Sequence, residues 1–441
     1  MKWRPGRPNS YALRTTATST AAMLLTFATA VLLGLKSSEV VLAVVLATSL
    51  SRRPQKATNA LALPFIAAAA AGIGTLMASH PTLGDALFTV CVALSVRYRR
   101  YGALVAMAFV AVLITPADAA APGWSALIAL IAFAWVALTQ FIAVRTHFTT
   151  PAPTQHPQPT PSPRAGTRMA LQMAAALATA FALGRILYPD HWPWTVLTTF
   201  IVCSGNRGRE DVVHKSALRI AGAAAGTVAA TALAGAFAPH NSASIAVLLA
   251  VLATSTWLRT YSYAYWAAGV TAALSLLYGY YGQTDFSLLS TRLTEIALGA
   301  AIGIVASWCI LPIRTTDVAR KRTAEALHAL RDKDAAAFTH ALSRLNEITP
   351  PLNLHRRLTR HRRGETPHAA DAMDAIRQRD AKRAREILAA ISSAKAGGDG
   401  RHHGLKHRGG WTVVRDDTSG QTHWTAPTGH TYTNTPDTWT E

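Results

Sequence analysis

Two charged residues lie inside apolar stretches of the chain and could do chemistry there. Arg219 opens the stretch LRIAGAAAGTVAATALAG, and Glu295 follows Arg292 by three residues in RLTEIALGAAIGIVASWCILP. A guanidinium at a helix end can reach toward water or pair with a carboxylate ligand. A carboxylate in an apolar segment is costly and is typical of ion and proton pathways. Arg219 is therefore a candidate anion-binding residue, and Glu295 with Arg292 a candidate proton-coupling pair.

Both candidates also have a structural interpretation. Arg219 at the start of a helix near the membrane surface needs no ligand if its side chain snorkels to water. Glu295 and Arg292 are spaced i, i+3, so an ion pair at the membrane surface would explain them without a proton pathway. We prefer the surface ion pair for Glu295 and keep a substrate role for Arg219 as a hypothesis.

Aromatic residues and a second arginine complete the candidate substrate site. Trp194 lies in WPWTVLTTF, and Arg259 and Tyr261 form an R-x-Y pattern that recurs at Arg99 and Tyr101, 160 residues earlier. Aromatic rings could stack on an aromatic substrate, although belts of aromatic residues at membrane surfaces explain them equally well. We include Trp194, Arg259 and Tyr261 with Arg219 as candidate substrate-binding residues.

Glycines spaced four apart follow both charged candidates. Gly222 and Gly226 come after Arg219, and Gly299 and Gly303 come after Glu295. Small residues at this spacing let helix backbones approach closely in a lipid environment. All four glycines are therefore predicted to pack helices together, and the two helices that carry them are predicted to be antiparallel.

The composition indicates a membrane protein with a soluble tail. Of 441 residues, 50% are hydrophobic and only 15% are charged, whereas ordinary soluble domains are about 25% charged. Eight acidic residues precede position 314 and fifteen follow it, while the basic residues divide almost evenly, 21 before and 22 after. The net charge of +20 is then explained by membrane orientation, and a nucleic-acid partner is not favoured.

Twelve apolar stretches precede the tail, most of them near the about 20 residues that a membrane-crossing helix needs. They are 20–35, 38–51, 59–78, 86–96, 102–117, 124–144, 167–187, 192–204, 217–238, 243–258, 262–281 and 294–312. The fold class predicted is an all-α integral membrane protein of about twelve transmembrane helices in two six-helix halves, with a small helical cytoplasmic tail. The segments 38–51, 86–96 and 192–204 are short, so buried or re-entrant helices are an alternative there.

The basic residues predict the orientation. Clusters such as Arg52 with Arg53 occur in alternate connections, and the intervening connections carry only Lys36, Arg185 or Arg292. Because basic loops stay on the cytoplasmic side, both termini are predicted to be cytoplasmic in a bacterial cell membrane. This alternation favours spanning for the short segments.

Composition shifts set the predicted domain boundaries. A proline-rich linker, with six prolines from Pro151 to Pro163, separates the halves. The tail contains two similar segments at an offset of 46 residues, each predicted to form a helical hairpin with an Asp as the N-cap of its second helix. The predicted domains are a first membrane half (1–146), the linker (147–165), a second membrane half (166–313), helical hairpins (314–396) and a basic, Trp-containing end (397–441).

The segment from Trp192 to Gly235 and the last apolar stretch, with their Arg-then-Gly patterns, resemble the fusaric-acid-resistance and aromatic-acid-exporter family of bacterial membrane proteins. The resemblance covers about 166–313 well and 15–146 loosely. It implies a membrane transporter that exports small organic anions such as aromatic carboxylic acids. The proton gradient is the expected energy source.

The end of the tail resembles another family. RHHGLKHRGGW (401–411) and WTAPTGHTYT (424–433) are similar to the C-terminal end of actinobacterial HNH endonucleases. The Cys pair and D-x-D-H stretch of that family do not precede them here, so a gene-fusion remnant is favoured over a nuclease. No P-loop, G-x-S-x-G or H-E-x-x-H pattern is present, and we expect no enzyme, catalytic residue, metal or cofactor.

Two further functions stay open at this point. The chain could be a non-transporting membrane scaffold that recruits a cytoplasmic partner through its helical tail, or it could be an anion channel. The partners expected are the lipid bilayer and a small organic anion, and the sequence leaves open whether the protein forms a homo-oligomer.

Overall fold

The computed structural model describes most of the apolar part and portions of the tail. The described residues are 10–35, 37–51, 57–98, 105, 108–110, 112–113, 122–146, 163–233, 241–259, 261–280, 286–332, 334–359, 373, 375–376, 378, 386, 412–415, 422–425 and 431–434. The predicted linker lies outside them up to residue 162. Six residues of the stretch predicted at 102–117 are described, and all six are helical.

Helices dominate the described residues. In chain order they are α1 (Ser10–Leu32), α2 (Ser37–Leu50), α3 (Ala57–Ser79), α4 (Pro81–Tyr98), α5 (Pro122–Arg145), α6 (Pro163–Leu187), α7 (Pro193–Cys203), α8 (Arg209–Leu233), α9 (Ser242–Leu258), α10 (Tyr263–Tyr280), α11 (Phe286–Cys309), α12 (Thr315–Arg331) and α13 (Ala335–Thr359). The chain divides into two compact units, Met1–Val318 with Pro350–His355 and Ala319–Thr349 with Arg356–Glu441. The first is called the membrane unit below, and the second the tail unit.

Five helices in the described residues are long and apolar enough to cross a membrane. Their apolar segments are Leu13–Leu32, Ala62–Ser79, Trp124–Arg145, Ala165–Leu187 and Ser290–Cys309. Three shorter apolar helical segments are Pro193–Cys203, Ala243–Leu258 and Tyr263–Leu277. The chain is therefore a helical, multi-pass membrane protein, and the count of twelve spans stays a prediction.

Helix α7 is too short to cross a bilayer by itself. Its 11 residues extend about 17 Å at a rise of about 1.5 Å per residue, against a hydrocarbon thickness of about 30 Å. Pro193 occupies the first turn, where its missing N–H costs nothing, and nearly every side chain of the helix is buried. Irregular backbone follows it.

Side chains of α8 satisfy this irregular backbone after α7. The Nζ atom of Lys215 donates to the carbonyl oxygens of Ser204 at 3.1 Å and Gly205 at 3.2 Å. Lys215 also pairs with Asp211 at 2.9 Å, and Asp211 accepts the backbone N–H of Arg207. Non-helical backbone at membrane depth requires such protein partners. The polar sequence here therefore supports a short helix followed by a braced, non-helical segment.

Two groups of helices in the membrane unit have the same pattern of helix–helix contacts. In the first group, α1 contacts α2, and α1, α2 and α3 each contact α5. In the second, α6 contacts α7, and α6, α7 and α8 each contact α11. In each group the last helix therefore lies against the first three.

An ion pair joins α4 to α6. Arg185 near the end of α6 holds Asp85 of α4 with two hydrogen bonds, from Nε at 2.6 Å and from Nη2 at 2.8 Å. The same guanidinium lies 4.2 Å from the centre of the Trp192 ring. Bidentate geometry and the ring contact restrict the arginine to one orientation, so this pair fixes α4 against α6.

We expect Asp85→Asn to lower the free energy of unfolding by about 1–2 kcal/mol, because a charge-assisted, bidentate pair is lost. The value is moderate because the Arg185 side chain keeps 27% exposure. The matched control is Glu347→Gln in the tail unit, which removes a pair with Arg322 at 3.4 Å in which the carboxylate side chain is 44% exposed. Denaturant unfolding in detergent micelles measures both, and equal losses would contradict a fixing role for Asp85.

The tail unit begins as a helical hairpin. Glu325 of α12 pairs with Arg344 of α13 at 2.8 Å, and Asp334 caps α13 by accepting the N–H of Ala337 at 2.9 Å. The predicted Asp N-cap is thus confirmed. Helix α13 continues through Pro350 and Pro351 to Thr359. Most of the second predicted hairpin lies outside the described residues.

The tail also contains β-strands, which the predicted all-α fold with a helical tail did not include. Three short strands, β1 (Thr412–Arg415), β2 (Thr422–Thr425) and β3 (Thr431–Asn434), form an antiparallel sheet in the order β1-β2-β3. Trp424 is in register with Val413 on one side and Tyr432 on the other. The sheet lies in the segment that resembles a nuclease end, and the β-branched and aromatic residues of these strands suit a sheet.

Candidate functional site

Arg219 does not open a helix, as the sequence suggested, because α8 already begins at Arg209. Glu210 and Asp211 lie in its first turn, where acidic residues stabilise the helix dipole. Arg219 is therefore almost three turns into α8, and its exposure is 1%. Among the described residues, it is the largest side chain that is completely buried. Snorkelling to water is therefore not its role.

The glycines after Arg219 pack as predicted. A Cβ atom on Gly222 would clash with the carbonyl oxygen of Ala264, and one on Gly226 would clash with that of Ala268. The backbones of α8 and α10 are thus in direct contact, and the two helices run in the same direction. This contact brings the first turn of α10 level with Arg219.

Tyr263 and Arg259 surround Arg219 on that side. The phenol of Tyr263 interacts electrostatically with both guanidinium groups. Arg259 lies 4.7 Å from the centre of the Trp266 ring, and Tyr263 and Trp266 have ring centres 5.5 Å apart. Tyr261 is 41% exposed and makes an edge contact with Trp257. Two positive charges and an aromatic pair therefore share one place, which is called the Arg219 cluster below.

Arg219 has unmet hydrogen-bonding capacity in this cluster. Among the described residues, nothing accepts a hydrogen bond from its Nε or Nη1 atom. A buried guanidinium in a membrane is costly unless an anion or several acceptors compensate its charge. The cluster can therefore receive a carboxylate.

The second glycine pair joins α11 to α7. A Cβ atom on Gly299 would lie 2.5 Å from the carbonyl oxygen of Thr195, and one on Gly303 would lie 2.6 Å from the Val202 side chain. The hydroxyl of Thr199 crosses this contact and donates to the carbonyl oxygen of Gly299 at 2.9 Å. All four predicted helix-packing glycines thus make close contacts, and α7 and α11 run in the same direction.

The predicted ion pair between Glu295 and Arg292 does not form. Glu295 has 0% exposure, and neither of its carboxylate oxygens has a hydrogen-bond partner among the described residues. Arg292 instead lies over the Trp194 ring, 4.9 Å from its centre. Burial between helices, which spacing along one helix does not reveal, replaces the surface position that we expected.

The candidate residues therefore fall into two clusters. Trp194, predicted with Arg219 as a substrate-binding residue, contacts Arg292 instead. The first cluster is that of Arg219, and the second contains Trp194, Arg292 and Glu295. Sequence reasoning missed Tyr263, which is one of several tyrosines in its segment, and the threonines of α7. The run T-x-x-T-T in the segment of α7 could have indicated these threonines.

The start of α8 is fixed to the end of α11 and to the start of α12. Glu210 accepts a hydrogen bond from the hydroxyl of Thr315 at 2.7 Å, and Arg209 lies 4.3 Å from the centre of the Trp308 ring. Gly208 has a φ of +132, and a Cβ there would lie 2.8 Å from the Cα of Thr315. Only glycine fits this position. The helices α8 and α11 are antiparallel, as the sequence predicted.

Comparison with known families matches the same region. Residues 173–306 match a family model described as fusaric acid resistance protein-like. This part of the chain is therefore similar to that family. No curated protein and no solved structure matches the chain. The matched residues include both clusters and all four helix-packing glycines, so every candidate residue lies in the matched part.

Proposed function

We propose that this protein is an efflux transporter for small organic anions such as aromatic carboxylic acids. The observation that carries the proposal is the Arg219 cluster. It presents a fully buried guanidinium without an acceptor at Nε or Nη1 among the described residues, next to a second arginine. The family match to a fusaric acid resistance protein-like model supports the same class of substrate.

The chemistry of the cluster suits an aromatic carboxylate. Charge-assisted hydrogen bonds from Arg219 would hold the carboxylate group. Tyr263 and Trp266 offer ring faces or edges to an aromatic body, with Arg259 as a second positive charge. Trp194 is a less suitable member of this site, because it contacts Arg292.

We further propose that the membrane unit has twelve crossings in two six-helix halves, 1–146 and 166–313, joined by the linker at 147–165. Helix α7 would make its crossing together with the non-helical residues that precede and follow it. The contacts among α1, α2, α3 and α5 have the same pattern as those among α6, α7, α8 and α11. This repeated pattern supports the arrangement. Both termini are cytoplasmic in a bacterial cell membrane, because alternate connections carry the basic clusters. The hairpins (314–396) and the tail end (397–441) are then cytoplasmic, and the Arg219 cluster lies toward the cytoplasmic side.

The proton gradient is the proposed energy source, with Glu295 and Arg292 as the coupling residues. Their positions in the first half of α11 place them toward the outer side, away from the Arg219 cluster. Substrate would thus be bound from the cytoplasm and protons from outside. This separation suits an exchanger of protons for anions.

Transport is tested in proteoliposomes that contain the purified full chain and are loaded with a radiolabelled aromatic carboxylate. We expect release above that of protein-free liposomes, and we expect a pH gradient across the membrane to accelerate it. Equal release from both preparations would contradict the proposal. Release that is faster than the control but unaffected by any pH or voltage gradient would identify an anion channel instead.

The scaffold alternative is tested by deletion of residues 316–441. An efflux transporter should retain at least part of its export without the tail, and a scaffold should lose its cellular effect completely. Susceptibility of the deletion strain to weak aromatic acids measures this in cells.

A further inference from the structure

Two buried threonines of α7 lack hydrogen-bond partners for their hydroxyls. Among the described residues, nothing pairs with the Oγ1 atoms of Thr195 and Thr198, although both side chains have 0% exposure. Thr199, their neighbour, is different, because its hydroxyl donates to the carbonyl oxygens of Thr195 and Gly299, each at 2.9 Å. Buried hydroxyls are normally paired, so Thr195 and Thr198 point to a missing partner.

Glu295 faces these threonines. On α11, Arg292 precedes it by three residues and lies over Trp194 of α7. Gly299 follows it by four residues and abuts Thr195 and Thr198. Residues at i−3, i and i+4 share one helix face. Because both flanking residues contact α7, Glu295 lies on the face of α11 that packs against α7, at a level between those of Arg292 and Gly299.

The charged groups near Glu295 lie on α11 itself and on the helices that pack against it. Helix α7 carries no ionisable side chain other than Cys203, and Arg292 is the charged group that interacts with Glu295 on α11 itself. The helices α6 and α8 also pack on α11. Their charged residues are Arg164, Arg168 and Arg185 on α6, and Arg209, Glu210, Asp211, His214, Lys215 and Arg219 on α8. Asp190 and His191 precede α7, and Tyr188 donates to Thr294 at 3.1 Å.

We propose that Glu295, Thr195 and Thr198 form the proton-binding site of the transporter. Side-chain rotations would bring the threonine hydroxyls, which are not hydrogen-bonded to Glu295 in this structure, into hydrogen bonds with its carboxyl group. This deepens the proposed function and rests on it. The site lies between α7 and α11. Arg292 and Trp194 close it toward the start of both helices.

The site has two states. In the first, a proton from the outer aqueous phase is bound to the Glu295 carboxylate, and the resulting acid donates its O–H to one threonine hydroxyl. In the second, the proton has left toward the cytoplasmic aqueous phase, and both hydroxyls donate to the carboxylate. The charge of Arg292 stabilises this second state. Hydroxyls suit both states because they accept and donate hydrogen bonds equally well.

The test compares two kinds of flux in proteoliposomes. Glu295→Gln mimics the protonated state, so exchange of labelled for unlabelled substrate without a gradient should persist. Flux driven by a pH gradient should fall about tenfold or more, because the proton carrier is absent. Thr195→Val and Thr198→Val should each lower the gradient-driven flux about three- to tenfold, the value of one hydrogen bond. Thr199→Val is the matched control. Its gradient-driven flux should stay within about twofold of the wild-type value, because the Thr199 hydroxyl bonds to backbone carbonyls.

Each outcome separates the inference from the proposed function. If Glu295→Gln keeps its gradient-driven flux, the proton site is wrong while transport stands. If the wild-type protein exchanges nothing, both fail. Infrared spectroscopy of the purified protein gives a readout that does not depend on flux. A carboxylic-acid band that titrates with pH should vanish in Glu295→Gln and shift in Thr195→Val. A band unchanged in both variants would overturn the assignment.

Discussion

Arg219→Ala should lower export of an aromatic carboxylate about 10- to 100-fold, because hydrogen bonds to a charged group contribute about 1.5–3 kcal/mol. The loss should appear mainly as weaker substrate binding, since the guanidinium is the group that would hold the carboxylate. Arg219→Lys should recover only part of the flux, because an ammonium lacks the planar fork that binds a carboxylate with two hydrogen bonds. Concentration-dependent flux in proteoliposomes measures both variants.

The matched control for Arg219 is Arg168→Ala in α6. Arg168 is exposed, so its removal should change neither flux nor folding. Size-exclusion chromatography in detergent shows whether each variant inserts and folds. A folded Arg219→Ala protein with wild-type flux would remove Arg219 from the substrate site, whatever the fate of the proton site at Glu295.

Gly222→Leu should strongly destabilise the membrane unit. Any side chain at this position meets the backbone of α10 at Ala264, and backbone cannot move aside by changing a rotamer. Overpacking alone costs about 1–3 kcal/mol in soluble cores, and we expect about 3 kcal/mol or more here because the obstacle is a carbonyl oxygen. Thermal unfolding in detergent, followed by chromatography, measures the loss.

Gly279→Leu controls for the loss of a glycine as such. Gly279 lies in α10, the partner helix, and a Cβ on it would have no neighbour within 4 Å. The larger side chain should therefore change the unfolding temperature little. Similar unfolding temperatures for the two variants would mean that the close contact of α8 with α10 does not stabilise the protein.

Patterns along the chain predicted the local features well. The spacing of Gly222 and Gly226 predicted close helix packing, because a small residue on every turn has this consequence wherever the partner helix lies. The Asp334 cap was also predictable, since the capping interaction joins residues only three apart. The N-terminus of α8 was missed because most of its first ten residues are charged or polar. They are helical because tertiary contacts such as that of Glu210 with Thr315 stabilise them.

The site required information that the sequence does not carry. Spacing predicted an ion pair between Arg292 and Glu295, yet α7 lies beside both residues and takes Arg292 onto the Trp194 ring. Nothing in the order of residues shows that Thr195 and Glu295, a hundred positions apart, belong to adjoining helices. Of the Arg219 cluster, the sequence indicated Arg259 as a candidate residue and overlooked Tyr263.

The glycine contacts have a mechanical consequence. At Gly222 and at Gly299 a helix meets the backbone of its neighbour directly, so no side chain lies between them that could rearrange. Packed interfaces of this kind switch between discrete arrangements and do not deform gradually. The helices α8 and α10 must then move as one rigid body, and so must α7 and α11. Any motion that carries an anion across the membrane therefore has its hinges in the connections between these pairs, and a crosslink within either pair should leave the motion free.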